Sequence, residues 1–415
     1  MQPTDVYHFE WQHNMEFVSG ISIRQILLDN NNWWKFFLLY APLIRYGIII
    51  NVIKVLVCRT KMLGCHSWLC RCCGLLKCVN HTCKSRFCSS CGKKATDQWV
   101  NRNLADLPGA PWQHITFTLP SEFWPLFWLN RHLSNLIAPL PAQIMTELAK
   151  QKNMIPGIFM AIHTFGRDLK RNVHFHLSIT LEGMSLDQTQ WSNHRVYFHH
   201  KPIKKMWRYR VLAILQKEYK AGKLILPNAL NCIKTASAFS SWLHPIRQKS
   251  WVVHLSKPCT NHHRNIKYIG RYLKRPPISE ANIIDYNGVT VTYRYRDHQK
   301  KTQRTFTLPV LDFIKRLIAH IPDLHFRMIR YYNWLSNRTR SRYLPLVYRH
   351  FNQTSYKDSG KQGVSWRNLH IQTFGIDPLL CPHCNIEFVL VGISWGFSIL
   401  QCLKQHKNIA MGEMC

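Results

Sequence analysis

The chain has 415 residues, 46% of them hydrophobic, which suits a sizeable core over two or three domains and argues against global disorder, collagen-like repeats or a coiled-coil fibre. Lys and Arg number 55 against 21 Asp and Glu, a formal net charge of +34. An excess of that size repels itself unless a polyanion screens it, so nucleic acid is the leading partner and an anionic membrane the second.

The N-terminal MQPTDVYHFEW has no signal-peptide apolar region. Residues 20–57 have apolar positions at helix-like spacing with a break near Pro42. Within them, residues 48–57 read equally as a second helix or a buried strand. The most apolar stretch, 33–58, is interrupted by Lys35, Pro42, Arg45, Asn51 and Lys54, and falls short of the roughly 18 uninterrupted residues of a membrane span. A small Cys-, Gly- and Lys-rich knuckle is expected over residues 65–92. Strands are predicted at 112–119, stopped by Pro120, and at 158–164 and 172–181, with a turn between the last two. Helices are predicted at 122–152, interrupted near Pro139 and Pro141, and at 202–220, which starts on a proline. A short strand at 251–256 precedes a short basic helix at 265–274, which stops at Pro276-Pro277. Asn287-Gly288, between strands 283–286 and 289–295, is the strongest hairpin signal in the chain. A helix at 310–320 and a strand at 326–332 follow. The expected class is α+β: a central antiparallel sheet flanked by helices, with an N-terminal zinc-binding domain. The expected division is 1–109, helices and knuckle; 110–345, the central domain; and 346–415, a tail carrying a CxxC.

Nine of the fifteen cysteines lie between Cys58 and Cys91, which points to metal binding in a reducing compartment and hence to a cytoplasmic protein. The pairs Cys70-x2-Cys73-Gly74 and Cys88-x2-Cys91-Gly92 each suit one edge of a tetrahedron, and together these four thiolates are expected to hold one structural zinc ion. His81 and Cys83 are surplus, and Cys65, Cys72 and Cys78 leave the register open. A second pair, Cys381-x2-Cys384, needs partners from His383, Cys402 and His406, or from the first knuckle.

In NVHFHLSIT, residues 172–180, His174 and His176 leave one face of a strand while Phe175 enters the core, so the two imidazoles make a metal clamp. Tyr268 and Tyr272 share a face if NIKYIGRYLKRPP is helical, within a ring of Arg264, Lys267, Arg271, Lys274 and Arg275. A phenol can attack a strand phosphate while cations neutralise it, and a divalent ion on the histidines polarises that phosphate.

Five blocks occur in order: HTCKSRFCSSCGKKATDQW from His81, HTFGRDLKRNVHFHLSIT from His163, YIGRYLKRPPISEA from Tyr268, HIPDLHFRMIRYYNWLSNR from His320 and DPLLCPHC from Asp377. Together, over about residues 24–384, the chain resembles the IS91-like transposases, HUH (histidine-hydrophobic-histidine) enzymes with two tyrosines. The resemblance implies that His174 and His176 hold Mg²⁺ or Mn²⁺, that Tyr268 and Tyr272 are the paired nucleophiles, and that the Cys70–Cys91 cluster is the zinc-binding region. It also implies a DNA transposase that nicks and rejoins single-stranded DNA through 5′-phosphotyrosine intermediates, in rolling-circle-like transposition in a bacterial, nucleoid-associated setting. Val173 replaces the proline usual before the first histidine of the pair. Two imidazoles hold such hard cations poorly, so a third ligand is expected, His163 first and Glu182 second. Asp168 is assigned to the turn. The rival class is a non-catalytic zinc-dependent DNA-binding protein or an inactive relic, which gives no reason for HxH and YxxxY to face each other. DNA contact is expected from Lys204, Lys205, Trp207, Arg208, Tyr209 and Arg210, and from Arg327, Arg330, Tyr331, Tyr332 and Trp334 with Arg338, Arg340 and Arg342. Bases would stack on the rings, although some of the rings must be core.

Overall fold

The computed structural model describes residues 20–166, 168–259, 266, 270, 276–296, 302–353 and 365–414. Among these the strands run in chain order β1 (Gly64–Leu69), β2 (Leu76–Asn80), β3 (Trp112–Thr118), β4 (Ile155–Phe165), β5 (Arg171–Met184), β6 (Trp191–Ser192), β7 (Val253–Leu255), β8 (Ile283–Tyr286), β9 (Thr290–Arg296), β10 (Gln303–Pro309), β11 (Ile329–Tyr332) and β12 (Val389–Trp395). The central antiparallel sheet has the order β11-β4-β5-β3-β7, with β6 paired to β5.

Strand alternation gives this sheet two different faces. Ile115 and Phe117 of β3, Ile158, Met160 and Ile162 of β4, and Val173, Phe175, Leu177 and Ile179 of β5 form one apolar face. The helices Trp124–Leu129, His132–Ile137, Leu140–Lys150, His200–Lys220 and Ala236–Gln248 bury it. Pro139 caps the third of these helices and Pro141 sits in its first turn, at the break expected from the sequence. The opposite face carries Trp112, Phe159 and Ala161 and packs on Trp99, Trp334, Tyr343 and Val347. Trp334 lies flat on Gly157, where an added Cβ would meet its Cζ2 at 2.3 Å.

The apolar N-terminal stretch resolves into three helices, Ile23–Leu28, Asn32–Tyr40 and Tyr46–Leu56, so residues 48–57 are mainly helical. Their apolar sides share a core with the sheet β10-β9-β8 and the helix Val310–Ile318. That last helix buries Val310, Phe313, Ile314, Leu317 and Ile318, the spacing of a single helical stripe, worth roughly 10 kcal/mol before chain entropy is counted. Partner surface within the protein thus explains the hydrophobicity. No described helix is long and apolar enough to cross a membrane.

A third sheet, β12-β1-β2, joins the first hundred residues to the last thirty. The close crossing of β1 and β12 requires glycine: Gly64 has φ +83°, and a Cβ there would meet Ser394 O at 2.2 Å. The sequence pattern missed β1, β2, β10 and β12, and the helices Ala236–Gln248 and Arg340–His350, because their apolar residues are sparse or edge-exposed.

Candidate metal centres and active site

β4 and β5 bring three imidazoles together. His163 pairs in register with His174, and His176 follows on the same face. Their ligand atoms lie within 4.8 Å of one another. The rings meet edge-on, with centroids 5.0 Å apart for His163–His174, 4.6 Å for His163–His176 and 4.8 Å for His174–His176. Phe175 is fully buried on the other face, so rigid core packing holds the pair that flanks it.

Neighbours fix the rings. His174 Nδ1 donates to Asn172 O at 2.8 Å, which leaves Nε2 as the ligating atom. His176 Nδ1 lies 3.0 Å from His114 Nε2, and Thr116 Oγ1 lies 3.3 Å from His114 Nε2 and 3.4 Å from His176 Nδ1. Burial pushes His174 down and His176 well down, the latter also through the charges of His174 and His114; burial, helped by His254, brings His114 to about 4. All are therefore neutral near pH 7, the form that binds a cation. His114 went unnoticed in the sequence; its signal was strand alternation in QHITFT, which puts His114 and Thr116 on one face.

Of the two candidates for third ligand, His163 joins the pair. Glu182 lies six residues along β5 from His176, about 20 Å of strand, and pairs with Arg195. Asp168 accepts from Lys170 N in the β4–β5 turn. Tyr268 and Tyr272 lie outside the described residues. Their described neighbours Ile266 and Gly270 are helical. Ile266 packs with Phe159 and Ala161 on the histidine-bearing side of the sheet, and Gly270 abuts Trp99 and Val100.

The cysteines form two quartets, and here the expected grouping is corrected. Cys70, Cys73, Cys88 and Cys91 do not converge: Cys88 and Cys91 join Cys58 and Cys83, whereas Cys70 and Cys73 join Cys381 and Cys384. A tetrahedron of Zn–S bonds has edges of about 3.8 Å. In the first quartet Cys58–Cys91, Cys83–Cys91 and Cys58–Cys88 are each 3.7 Å apart. In the second, Cys70–Cys384 is 3.3 Å and Cys73–Cys381 3.6 Å. Sulfur hydrogen bonds push Cys91 down but Cys83 and Cys88 up, so a full set of thiolates needs a cation among them.

Local backbone explains the split. Cys58 lies in the turn just after the helix Tyr46–Leu56 and its cap Val57, and Cys88 caps the helix Ser89–Asp106, whose first turn holds Cys91. The second quartet consists of two like knuckles, with a left-handed residue after each second cysteine: Gly74 at φ 72° and Asn385 at φ 53°. That shared turn signal was readable in the sequence. Of the other proposed partners, Cys402 is buried among the N-terminal helices and His406 accepts from Trp33 Nε1.

Two candidate stacking rings are core: Trp207 and Trp334 are fully buried. Tyr209, 69% exposed, remains open to solvent.

Residues 39–119 match a family described as "Transposase zinc-binding domain", and residues 157–342 one described as "Putative transposase". The chain is 36% identical over 356 residues, 84% of each chain, to the "Transposase for insertion sequence element IS801" of Pseudomonas savastanoi pv. phaseolicola. The chain belongs to the IS91-like transposase family. It is also 30% identical over 295 residues, 69% of this chain and 74% of the other, to "Putative transposase y4qJ" of Sinorhizobium fredii. No solved structure is a significant match. Membership, the histidine triad and the cysteine quartets agree on an HUH-type, metal-dependent enzyme that nicks and rejoins single-stranded DNA, with structural zinc. The sulfur spacing suits zinc; the neutral imidazoles on one rigid face suit a divalent cation with open positions for phosphate oxygen.

Proposed function

We propose that Tyr268 and Tyr272 are the alternating nucleophiles of strand transfer, acting at a scissile phosphate held against His163, His174 and His176. One phenolic oxygen forms a bond to phosphorus, the bond to the 3′ oxygen breaks, and the strand is left with a 3′-hydroxyl and a 5′-phosphotyrosine. Mg²⁺ or Mn²⁺ on the histidines supplies polarisation of the phosphate. Asn172 O and His114 hold the imidazoles in their ligating orientation. The second tyrosine accepts the second strand, so exchange proceeds without ATP. The observation that carries this reading is the triad, on the face against which Ile266 packs. The zinc quartets of 58–91 and 70–384 brace the DNA-binding surface. The partners are the single-stranded element ends and target DNA, in the bacterial cytoplasm at the nucleoid, and the nuclease region spans 110–345 between the zinc-bearing N-terminal part and the tail.

The test is a labelled single-stranded oligonucleotide carrying the ends of the encoding element, incubated with Mn²⁺ and run on a denaturing protein gel. Wild type gives a metal-dependent covalent adduct. Tyr268→Phe with Tyr272→Phe abolishes it, and His174→Ala with His176→Ala nearly does. An adduct from the double tyrosine variant refutes the proposal.

A further inference from the structure

Three arginines converge at the end of the β4–β5 hairpin with little negative charge among the described residues to balance them. Arg171 opens β5, about 10 Å of strand before His174. Its Nη2 donates to Phe127 O at 2.9 Å, but its Nε and Nη1 are buried without a hydrogen-bond partner among the described residues, as is Nε of Arg131. Arg131 has a long contact to Ala319 O, 3.5 Å, and Arg45 donates to Ile321 O at 2.9 Å. Among the described residues, Arg45 has Asp323 as ion-pair partner, while the nearby Asp168 pairs with Lys170. Burial lowers all three guanidinium groups, Arg131 to about 8 and Arg171 to about 10, with mutual repulsion adding to both. Partly buried like charges are costly unless an anion completes them.

Two further features give the cluster a direction. Trp128, 40% exposed, has Arg131 at 4.6 Å and Arg171 at 5.0 Å from its ring, leaving aromatic surface beside the cations. Phe165 stacks on His163 at 5.5 Å and meets His320 at 5.3 Å; His320 and Asp323 line a cavity of about 210 Å³. Two ring contacts thus lead from the triad to His320, which feels the charges of Arg171 and Arg131.

We infer that Arg45, Arg131 and Arg171 bind a backbone phosphate of the DNA strand flanking the scissile one, with the adjacent base on Trp128. Planar guanidinium forks whose N–H groups lack partners among the described residues suit phosphate oxygens, and the exposed part of the Trp128 ring beside them suits a nucleobase. The inference rests on single-stranded DNA being the substrate.

The experiment measures dT20 binding by fluorescence anisotropy across salt concentrations, for the full chain and for Arg131→Gln with Arg171→Gln. Loss of one phosphate contact lowers the slope of log K against log salt by about 0.7. The expected result is that drop, with binding about tenfold weaker at 0.1 M salt and a melting temperature of the free protein that does not fall. Weaker binding with an unchanged slope overturns the inference, because damaged packing changes affinity without changing the number of contacts. A wild-type melting temperature raised by inorganic phosphate, with an unchanged dT20 slope, overturns the assignment to DNA in favour of a free anion. Wild type that fails to bind dT20 refutes the underlying substrate reading instead. If the double variant does not fold, Arg131→Gln alone carries the same slope test.

Discussion

Replacing His114 should weaken the catalytic metal without touching the ligands themselves. For Nε2 of His176 to face the ion, its Nδ1 must carry the proton and donate to His114 Nε2, 3.0 Å away. Both rings are almost fully buried, at 6% and 7% exposure, so an orphaned N–H finds little water. A buried polar group left unpaired costs about 1–3 kcal/mol, and lost support for a ligating histidine typically weakens metal binding about 10- to 100-fold. Thr116 Oγ1, 3.4 Å from His176 Nδ1, can take part of the load. His114→Ala should therefore fall near tenfold, and His114→Ala with Thr116→Val nearer a hundredfold. The assay is Mn²⁺ titration followed by electron paramagnetic resonance, with zinc content measured in parallel. Zinc should stay constant, because the quartets lie on other elements. If the double variant binds Mn²⁺ as tightly as wild type, His114 does not orient His176.

Metal analysis of purified protein should find two zinc ions per chain; Cys88→Ser should remove one and Cys381→Ser the other. One ion in wild type, lost equally with Cys70→Ser and Cys88→Ser, would restore the single-site grouping. His320, 6% exposed, is pushed by burial from 6.5 to about 4, so below pH 6.5 the unfolded chain takes up a proton before the folded one does. Its contribution is complete above pH 6.5 and is lost as the pH falls towards 4. Between pH 7.5 and 5 this removes on the order of 2 kcal/mol of stability. Urea unfolding at the two pH values should show at least that loss, and His320→Gln, whose amide can still donate to Leu169 O, should reduce it by about that amount. An equal loss in the variant refutes the assignment.

Local chemistry was legible where one element carries it. The alternation about Phe175 placed His174 and His176 on one face, and Asn287-Gly288 set the β8–β9 hairpin. Pairing between distant elements was harder to read. Two adjacent CxxC motifs suggested one ion because sequence proximity stood in for spatial proximity; the helix starting at Ser89 turns Cys88 and Cys91 towards Cys58, away from the β1–β2 knuckle. The apolar character of residues 33–58 likewise had no visible partner until β8, β9 and the helix Val310–Ile318 packed against it. Ring-and-cation interleaving could not separate Trp207, a core residue, from the neighbouring exposed Tyr209.

The quartet of Cys70, Cys73, Cys381 and Cys384 has a consequence for biosynthesis. Its halves are separated by 308 residues between Cys73 and Cys381. Closing so long a loop costs roughly 5 kcal/mol in chain entropy, whereas a structural zinc site returns about 10–16 kcal/mol. On the ribosome the first knuckle must therefore wait, half-liganded, until the nuclease sheet has been made and the final segment has emerged. A chain terminated before residue 384 has the histidine triad but no clasp, and its β1 edge lacks β12. Synthesis through Cys384 and β12 thus becomes a folding checkpoint, one that ties assembly of the DNA-handling surface to a distant segment and to the supply of zinc.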